Sequence, residues 1–126
     1  WQQIWHDWHI EREMILPTQG IVSTLAALIM AFTEADEKVV IQPPVYTPFF
    51  SCVVDCGRKL VENPLKNDDG RYTFDFEDLR RKRDGKTRLL ILCKPHNPVG
   101  RVWSKEELEQ LGDICLKNNI LIIFLG

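Results

Sequence analysis

The chemistry-bearing residues of this chain gather in three short segments. The densest is Cys93-Lys94-Pro95-His96-Asn97-Pro98-Val99-Gly100-Arg101-Val102-Trp103. Two prolines and a glycine around His96 and Asn97 make a stiff loop, and Asn-Pro is a bond at which a cis peptide is accessible. Asn97 can donate an amide hydrogen to a phenolate or carbonyl oxygen. His96 reads equally as a satisfied structural histidine or as a catalytic one, and Arg101 as an ion-pair residue of the loop. The second segment, Pro43-Pro44-Val45-Tyr46-Thr47-Pro48-Phe49-Phe50, is a rigid turn presenting the ring of Tyr46; the plain alternative is a core tyrosine with its hydroxyl paired. The third, Gln19-Gly20-Ile21-Val22-Ser23-Thr24, puts a glycine before a helix whose free amides and dipole favour an anion such as phosphate. Most helix starts carry only water and a cap, so this third segment alone decides nothing.

Loops of this kind need elements to hold them. Ile21 to Phe32 is apolar at helical spacing and predicts a helix buried on most of its circumference. Lys38 to Gln42 is a β-branched run halted by Pro43-Pro44, a strand end. Pro48 to Cys56 predicts a helix closed by Gly57, followed by a strand at Lys59 to Glu62. Asp75 to Arg83 opens acidic and ends basic, as the helix dipole favours, with Gly85 closing it. Arg88 to Cys93 is a continuous apolar run suited to a strand covered on both faces. Ser104-Lys105-Glu106-Glu107 is a capping box that starts a helix running to about Asn118, and Ile120 to Leu125 is a second fully apolar strand. Trp1, Ile4, Trp5 and Trp8 share one stripe of a further helix over residues 1–13. Helices alternating with apolar strands predict an α/β fold, an αβα three-layer sandwich with a mostly parallel sheet. In such a sheet ligands gather beyond the carboxyl ends of the strands, where all three segments fall.

Composition narrows the class of function. The 126 residues are the length of one ordinary domain, with a formal net charge of −2 and no basic stripe interleaved with aromatics, which argues against a nucleic-acid partner. The basic run Arg80-Arg81-Lys82-Arg83 reads as a solvated helix face. The longest uninterrupted apolar run, Ile120 to Leu125, is far below the ~20 residues of a membrane-spanning helix, so no membrane is expected. Four cysteines without a secretory signal suggest reduced thiols in the cytoplasm. His6 and His9 lack companion ligands and read as helix surface, so no metal site is expected. The opening Trp1-Gln2-Gln3-Ile4 has neither a leader pattern nor a Met and reads as starting inside a longer protein.

The succession Ala31-Phe32-Thr33-Glu34, Gln42-Pro43-Pro44-Val45-Tyr46-Thr47-Pro48-Phe49-Phe50, Asn63-Pro64-Leu65 and Leu92 to Trp103 resembles the class I/II aminotransferase superfamily, and within it the cystathionine beta-lyase (C–S lyase) branch. The resemblance covers essentially the whole chain, and the 95–103 string is its most specific part. It implies pyridoxal 5'-phosphate as cofactor, with residues 1–126 forming the first portion of the cofactor-binding large domain of a fold type I enzyme. Amides around Gly20, Ile21 and Val22 would hold the cofactor phosphate, Tyr46 would stack on the ring, and Asn97 would hydrogen-bond the ring hydroxyl oxygen. It further implies a small amino-acid thioether as substrate, cleaved to a thiol, pyruvate and ammonia, and a homodimer for the complete enzyme. Aminotransferase chemistry is the alternative, and a non-catalytic remnant that folds or self-associates is another. The family's pyridine-nitrogen aspartate corresponds to Leu125, its Schiff-base lysine lies further along than this chain reaches, and so no residue here is assigned a catalytic role. Lys94 stands where Asn is usual, and Gln19 where Pro is common.

Overall fold

A computed structural model describes residues 9–126. The stripe of Trp1, Ile4, Trp5 and Trp8, and His6 with it, lies outside these residues. Of the first predicted helix, the described part holds only a single 3-10 turn, Arg12–Met14.

Four strands form one parallel sheet: β1 (Lys38–Ile41), β2 (Lys59–Glu62), β5 (Thr87–Cys93) and β6 (Leu121–Leu125), in the spatial order β2-β1-β5-β6. Because side chains alternate along a strand, Val39, Ile41, Leu89, Ile91 and Ile123 face one layer and Val40, Leu90 and Leu92 the other. On the first face pack helices α1 (Ile21–Phe32), through Leu25 and Ile29, and α2 (Pro48–Asp55), through Phe49, Cys52 and Val53. On the second pack α3 (Phe76–Lys82), through Leu79, and α4 (Lys105–Lys117), through Leu111, Ile114 and Cys115. The three-layer α/β sandwich expected from the sequence is what the chain forms. Among the described residues no helix is long and apolar enough to cross a membrane.

Local signals place most element ends. Gly57, at φ 71°, ends α2 with its amide bonded to the Val54 carbonyl and that of Arg58 to Val53. The Ser104 hydroxyl accepts from the Glu107 amide while the Glu107 carboxylate accepts from the Ser104 amide, the reciprocal box expected at the start of α4. Asp75 caps α3 through the Asp78 amide. The predicted Gly85 stop is corrected: α3 ends at Lys82, the next residue Arg83 turns extended, and Gly85 instead lies in the turn that bonds the Thr87 amide to the Asp84 carbonyl.

Three further expectations change. The sequence reading overlooked a hairpin, β3 (Lys66–Asp68) with β4 (Arg71–Thr73), whose tip Asp69-Gly70 has positive φ at both residues, as a two-residue turn matched to strand twist requires. Helix α1 is covered on one face only: Leu25 and Ile29 are buried, whereas Ile21, Val22, Met30 and Phe32 are exposed. Strand β6 lies at the sheet edge, and only Ile123 of its five residues is buried.

The sheet order fixes where a ligand can sit. From β1 the chain crosses through α2 on one face to β2 on one side; from β5 it crosses through α4 on the other face to β6 on the opposite side. The loops leaving the carboxyl ends of β1 and β5 therefore diverge, and a crevice opens between them.

Candidate functional site

That crevice is an open cleft of about 530 Å³ bordered by Ile21, Tyr46, Phe49, Lys94, Asn97 and Leu125 among others. Each arrives from a different element. Ile21 is the first residue of α1, Tyr46 comes from the loop after β1, Asn97 from the loop after β5, and Leu125 ends β6.

At the start of α1, Gly20 has φ 86° and ψ 159°, a conformation open to glycine and strained for other residues, and it offers no side chain to cap the helix. The first intrahelical bond runs from the Thr24 amide to the Gly20 carbonyl at 3.2 Å, so the amides of Ile21, Val22 and Ser23 precede the helical ladder. The Ser23 and Thr24 hydroxyls turn back to the Gly20 carbonyl at 3.0 and 2.7 Å rather than towards those amides. Uncapped amides at the positive end of a twelve-residue helix suit an anion. Of the three residues singled out here, Ile21 borders the cleft, while Gly20 and Val22 flank it in the chain without lining it.

Tyr46 is 37% exposed and meets Phe49 edge-on, with centroids 5.6 Å apart and planes at 84°. The core-tyrosine alternative is thereby excluded, because the ring borders the cleft instead of filling the interior. Asn97 is exposed beside it, while its neighbour His96 is buried.

The loop that carries Asn97 is braced at several points. His96 exchanges backbone hydrogen bonds with the far side of its own loop, His96 amide to Arg101 carbonyl at 2.8 Å and Gly100 amide to His96 carbonyl at 2.6 Å. Arg101 pairs with Glu107 at 2.5 Å, donates from Nε to the Tyr72 carbonyl at 2.7 Å, and sits 4.9 Å from the Trp103 ring centroid. The sequence reading of Arg101 as an ion-pair residue agrees. Trp103 donates from its indole nitrogen to the Cys93 carbonyl at 3.1 Å and stacks on Phe74 at 3.9 Å. The overlooked hairpin thus matters to the site, since Tyr72 and Phe74 at its exit support the loop.

The loop that carries Tyr46 is held from below by a buried polar chain. Gln42 donates to Asn63 at 3.1 Å, and Asn63 donates to the Asp75 carbonyl and to Asp78, both at 3.0 Å. Asp78 also takes Arg81 and Lys82 of α3, so part of the basic run serves an internal carboxylate as well as facing solvent. Nothing in the spacing of Gln42, Asn63 and Asp78 announced this network. Their partners lie 15 to 21 positions apart.

The four cysteines are free, and among the described residues no cluster of His, Cys, Asp or Glu has the geometry of a metal site. Burial pushes the thiols of Cys52 and Cys115 up, the latter to about 11, so neither is a nucleophile at neutral pH.

Known proteins share this arrangement of elements. The chain is 46% identical over 124 residues to cystathionine beta-lyase PatB of Bacillus subtilis, covering 98% of this chain and 32% of that protein. Cystalysin from Treponema denticola, solved with a pyridoxal 5'-phosphate cofactor, superposes with a TM-score of 0.93 at 38% identity over 98% of this chain and 32% of that one. The probable kynurenine–oxoglutarate transaminase BNA3 of Saccharomyces cerevisiae is 32% identical over 90% of this chain and 28% of that protein. The chain spans about a third of the length of such relatives. The family model for aminotransferase class I and II matches residues 2–124. By its sequence and by its fold, the chain belongs to the class I and II aminotransferase family.

Proposed function

We propose that this chain is the first portion of the large domain of a pyridoxal 5'-phosphate enzyme of the C–S beta-lyase type, and that it supplies the cradle for the cofactor's phosphate and ring. The observation that carries the reading is the convergence of Ile21 with its uncapped helix start, Tyr46 and Asn97 on one cleft at the point where the strand connections diverge. The amides of Ile21 and Val22, freed by Gly20, hold the phosphate. Tyr46 covers one face of the ring, and Asn97 donates to the ring hydroxyl oxygen. Bound there, the cofactor supplies an electron sink for negative charge developing at the substrate's alpha carbon.

The residues fit that group at the phosphate, the ring face and the hydroxyl, and they do not fit it at the pyridine nitrogen. Leu125 borders the cleft at the end of β6, and no aspartate or glutamate side chain is among the lining residues. A protonated pyridine nitrogen has no side-chain carboxylate here to hold its proton. This chain on its own therefore binds and orients; it does not catalyse. The complete enzyme, acting as a cytoplasmic homodimer, cleaves a thioether amino acid such as L-cystathionine to a thiol, pyruvate and ammonia. The cytoplasmic assignment is supported by the four free thiols. The likeness to BNA3 favours transamination as the second reading, and the two separate by product: pyruvate with ammonia, or an amino group passed to an oxo acid.

The binding reading is tested by titrating the chain with pyridoxal 5'-phosphate under equilibrium dialysis. Y46A is expected to weaken binding about two- to tenfold, the worth of one aromatic stacking contact. N97A is expected to weaken it about tenfold or more, the worth of a hydrogen bond to an anionic oxygen. Unchanged affinity in both variants overturns the cradle.

A further inference from the structure

His96 sits between two exposed residues, Pro95 and Asn97, yet is itself 0% exposed. Its Nε2 lies 3.1 Å from the Gln42 carbonyl oxygen and 3.0 Å from that of Pro44. Carbonyl oxygens only accept, so Nε2 carries the ring proton and donates it to the pair. Nδ1 has no hydrogen-bond partner, and burial holds the imidazole's pKa below its ordinary value against the opposing pull of the Pro44, Gln42 and Cys93 carbonyls, which favours the neutral ring. An edge-on contact with Trp103, centroids 5.4 Å apart, fixes the plane of the ring.

The two carbonyls belong to the loop that bears Tyr46, two residues past Pro44. The imidazole belongs to the loop that bears Asn97, one residue on. A single N–H therefore joins the two loops that diverge at the mouth of the cleft, directly behind the two side chains proposed to grip a planar ligand. A hydrophobic side chain of similar size would fill the same volume, but it would leave both carbonyls unpaired and the loops unjoined.

We propose that His96 is the positioning residue of the cleft: it sets the separation of Tyr46 and Asn97, and hence the width of the slot between them, while touching no ligand itself. The proposal rests on the cradle reading above for its consequence and on the loop geometry for its substance.

Two variants separate positioning from filling. In H96Q the side-chain amide nitrogen has two hydrogens, one for each carbonyl. In H96L the volume is kept and the donor is lost. Backbone and side-chain amide NMR of the 126-residue chain without ligand is the first readout. H96L is expected to shift the resonances of Tyr46, on the opposite loop, and to leave those of Ser104 to Glu107 in place, while H96Q reproduces the wild-type Tyr46 positions. Pyridoxal 5'-phosphate binding is the second: about a tenfold loss of affinity in H96L with loss of the cofactor's induced circular dichroism, and both kept in H96Q. A role in packing alone predicts the reverse order, with the apolar variant better tolerated. Should H96L not fold, H96N takes its place, because its amide is one methylene too short to reach both carbonyls. Tyr46 resonances that stay put in a folded H96L or H96N, or that move in a folded H96Q, overturn the proposal. A wild-type chain that shows the NMR pattern and binds no pyridoxal 5'-phosphate overturns the cradle reading and leaves the loop-joining role standing.

Discussion

Asp78 links the stability of this fold to pH through a single carboxylate. It is 9% exposed at the first turn of α3, where it accepts from Asn63 at 3.0 Å, Lys82 at 2.9 Å and Arg81 at 2.5 Å. Burial alone would raise its pKa; the hydrogen bonds from Asn63, Lys82 and Arg81 outweigh it and hold the carboxyl at about 2, against an ordinary 3.8. The folded value lies below the unfolded one. The contribution to stability is therefore complete above about pH 3.8 and disappears as the pH falls through about 2. The shift corresponds to about 2 kcal/mol, and because Arg81 is 77% exposed the attainable figure is nearer ~1–2 kcal/mol. The D78N variant keeps an acceptor for Asn63 and loses both ion pairs. Urea unfolding followed by circular dichroism is expected to show it about 1–2 kcal/mol less stable at pH 7, with the gap closing between pH 4 and pH 2. A gap that persists at pH 2, or none at pH 7, refutes the reasoning.

Three other perturbations follow from the same geometry. G20A meets open space, with Ser23 Oγ the nearest atom at 4.0 Å, so its penalty is conformational: a loss of about 1–3 kcal/mol in urea unfolding, accompanied by weaker binding of pyridoxal 5'-phosphate, with full stability as the contrary result. Cys115, buried with its thiol pushed up to about 11, is expected to be the last cysteine alkylated by iodoacetamide at pH 8 and the part-exposed Cys56 the first, as peptide mass spectrometry will read; equal rates contradict the burial argument. L125D places a carboxylate at the end of β6, so 15N NMR of bound, labelled pyridoxal 5'-phosphate is expected to report an unprotonated ring nitrogen in the wild-type chain and a protonated one in the variant, and a protonated nitrogen in both removes the significance of Leu125.

What was legible in the sequence was what depends on near neighbours. The capping box at Ser104 to Glu107, the left-handed Gly57 and the doubly covered β5 each need only a few adjacent residues, and each stands within a residue or two of its expected place. The hairpin was also local, and its Asp69-Gly70 tip carried the signal, but the flanking strands are three residues each and β3 is exposed throughout, so no alternation marked them. The reach of α1 was misjudged for a different reason. Apolar content fixes how much surface a helix can bury, whereas which side finds a partner is decided by the sheet, and α1 packs on that core through the buried Leu25 and Ile29 with Ala26 and Leu28 beside them. The dual reading of His96 could not be resolved from sequence at all, because its partners Gln42 and Pro44 lie 54 and 52 residues away.

The supports of the cleft share a physical logic. Each of the two diverging loops is fixed from outside the cleft, by Gln42, Asn63 and Asp78 under the Tyr46 loop and by Arg101, Trp103 and the hairpin under the Asn97 loop, and His96 joins the two. Ordering a loop carries an entropic penalty of about 1–2 kcal/mol per residue, which is met here by buried hydrogen bonds and aromatic contacts at folding. On the cradle reading proposed above, a ligand arriving later does not meet it again, and so more of its contact energy with Tyr46, Asn97 and the helix start remains as affinity. The opposite holds at Leu125: no support behind β6 can supply the acidic side chain that the cleft lining lacks. On the cradle reading, cofactor affinity and the protonation of the cofactor's ring nitrogen are therefore expected to separate between wild type and L125D, the affinity kept in both and the proton held only in the variant.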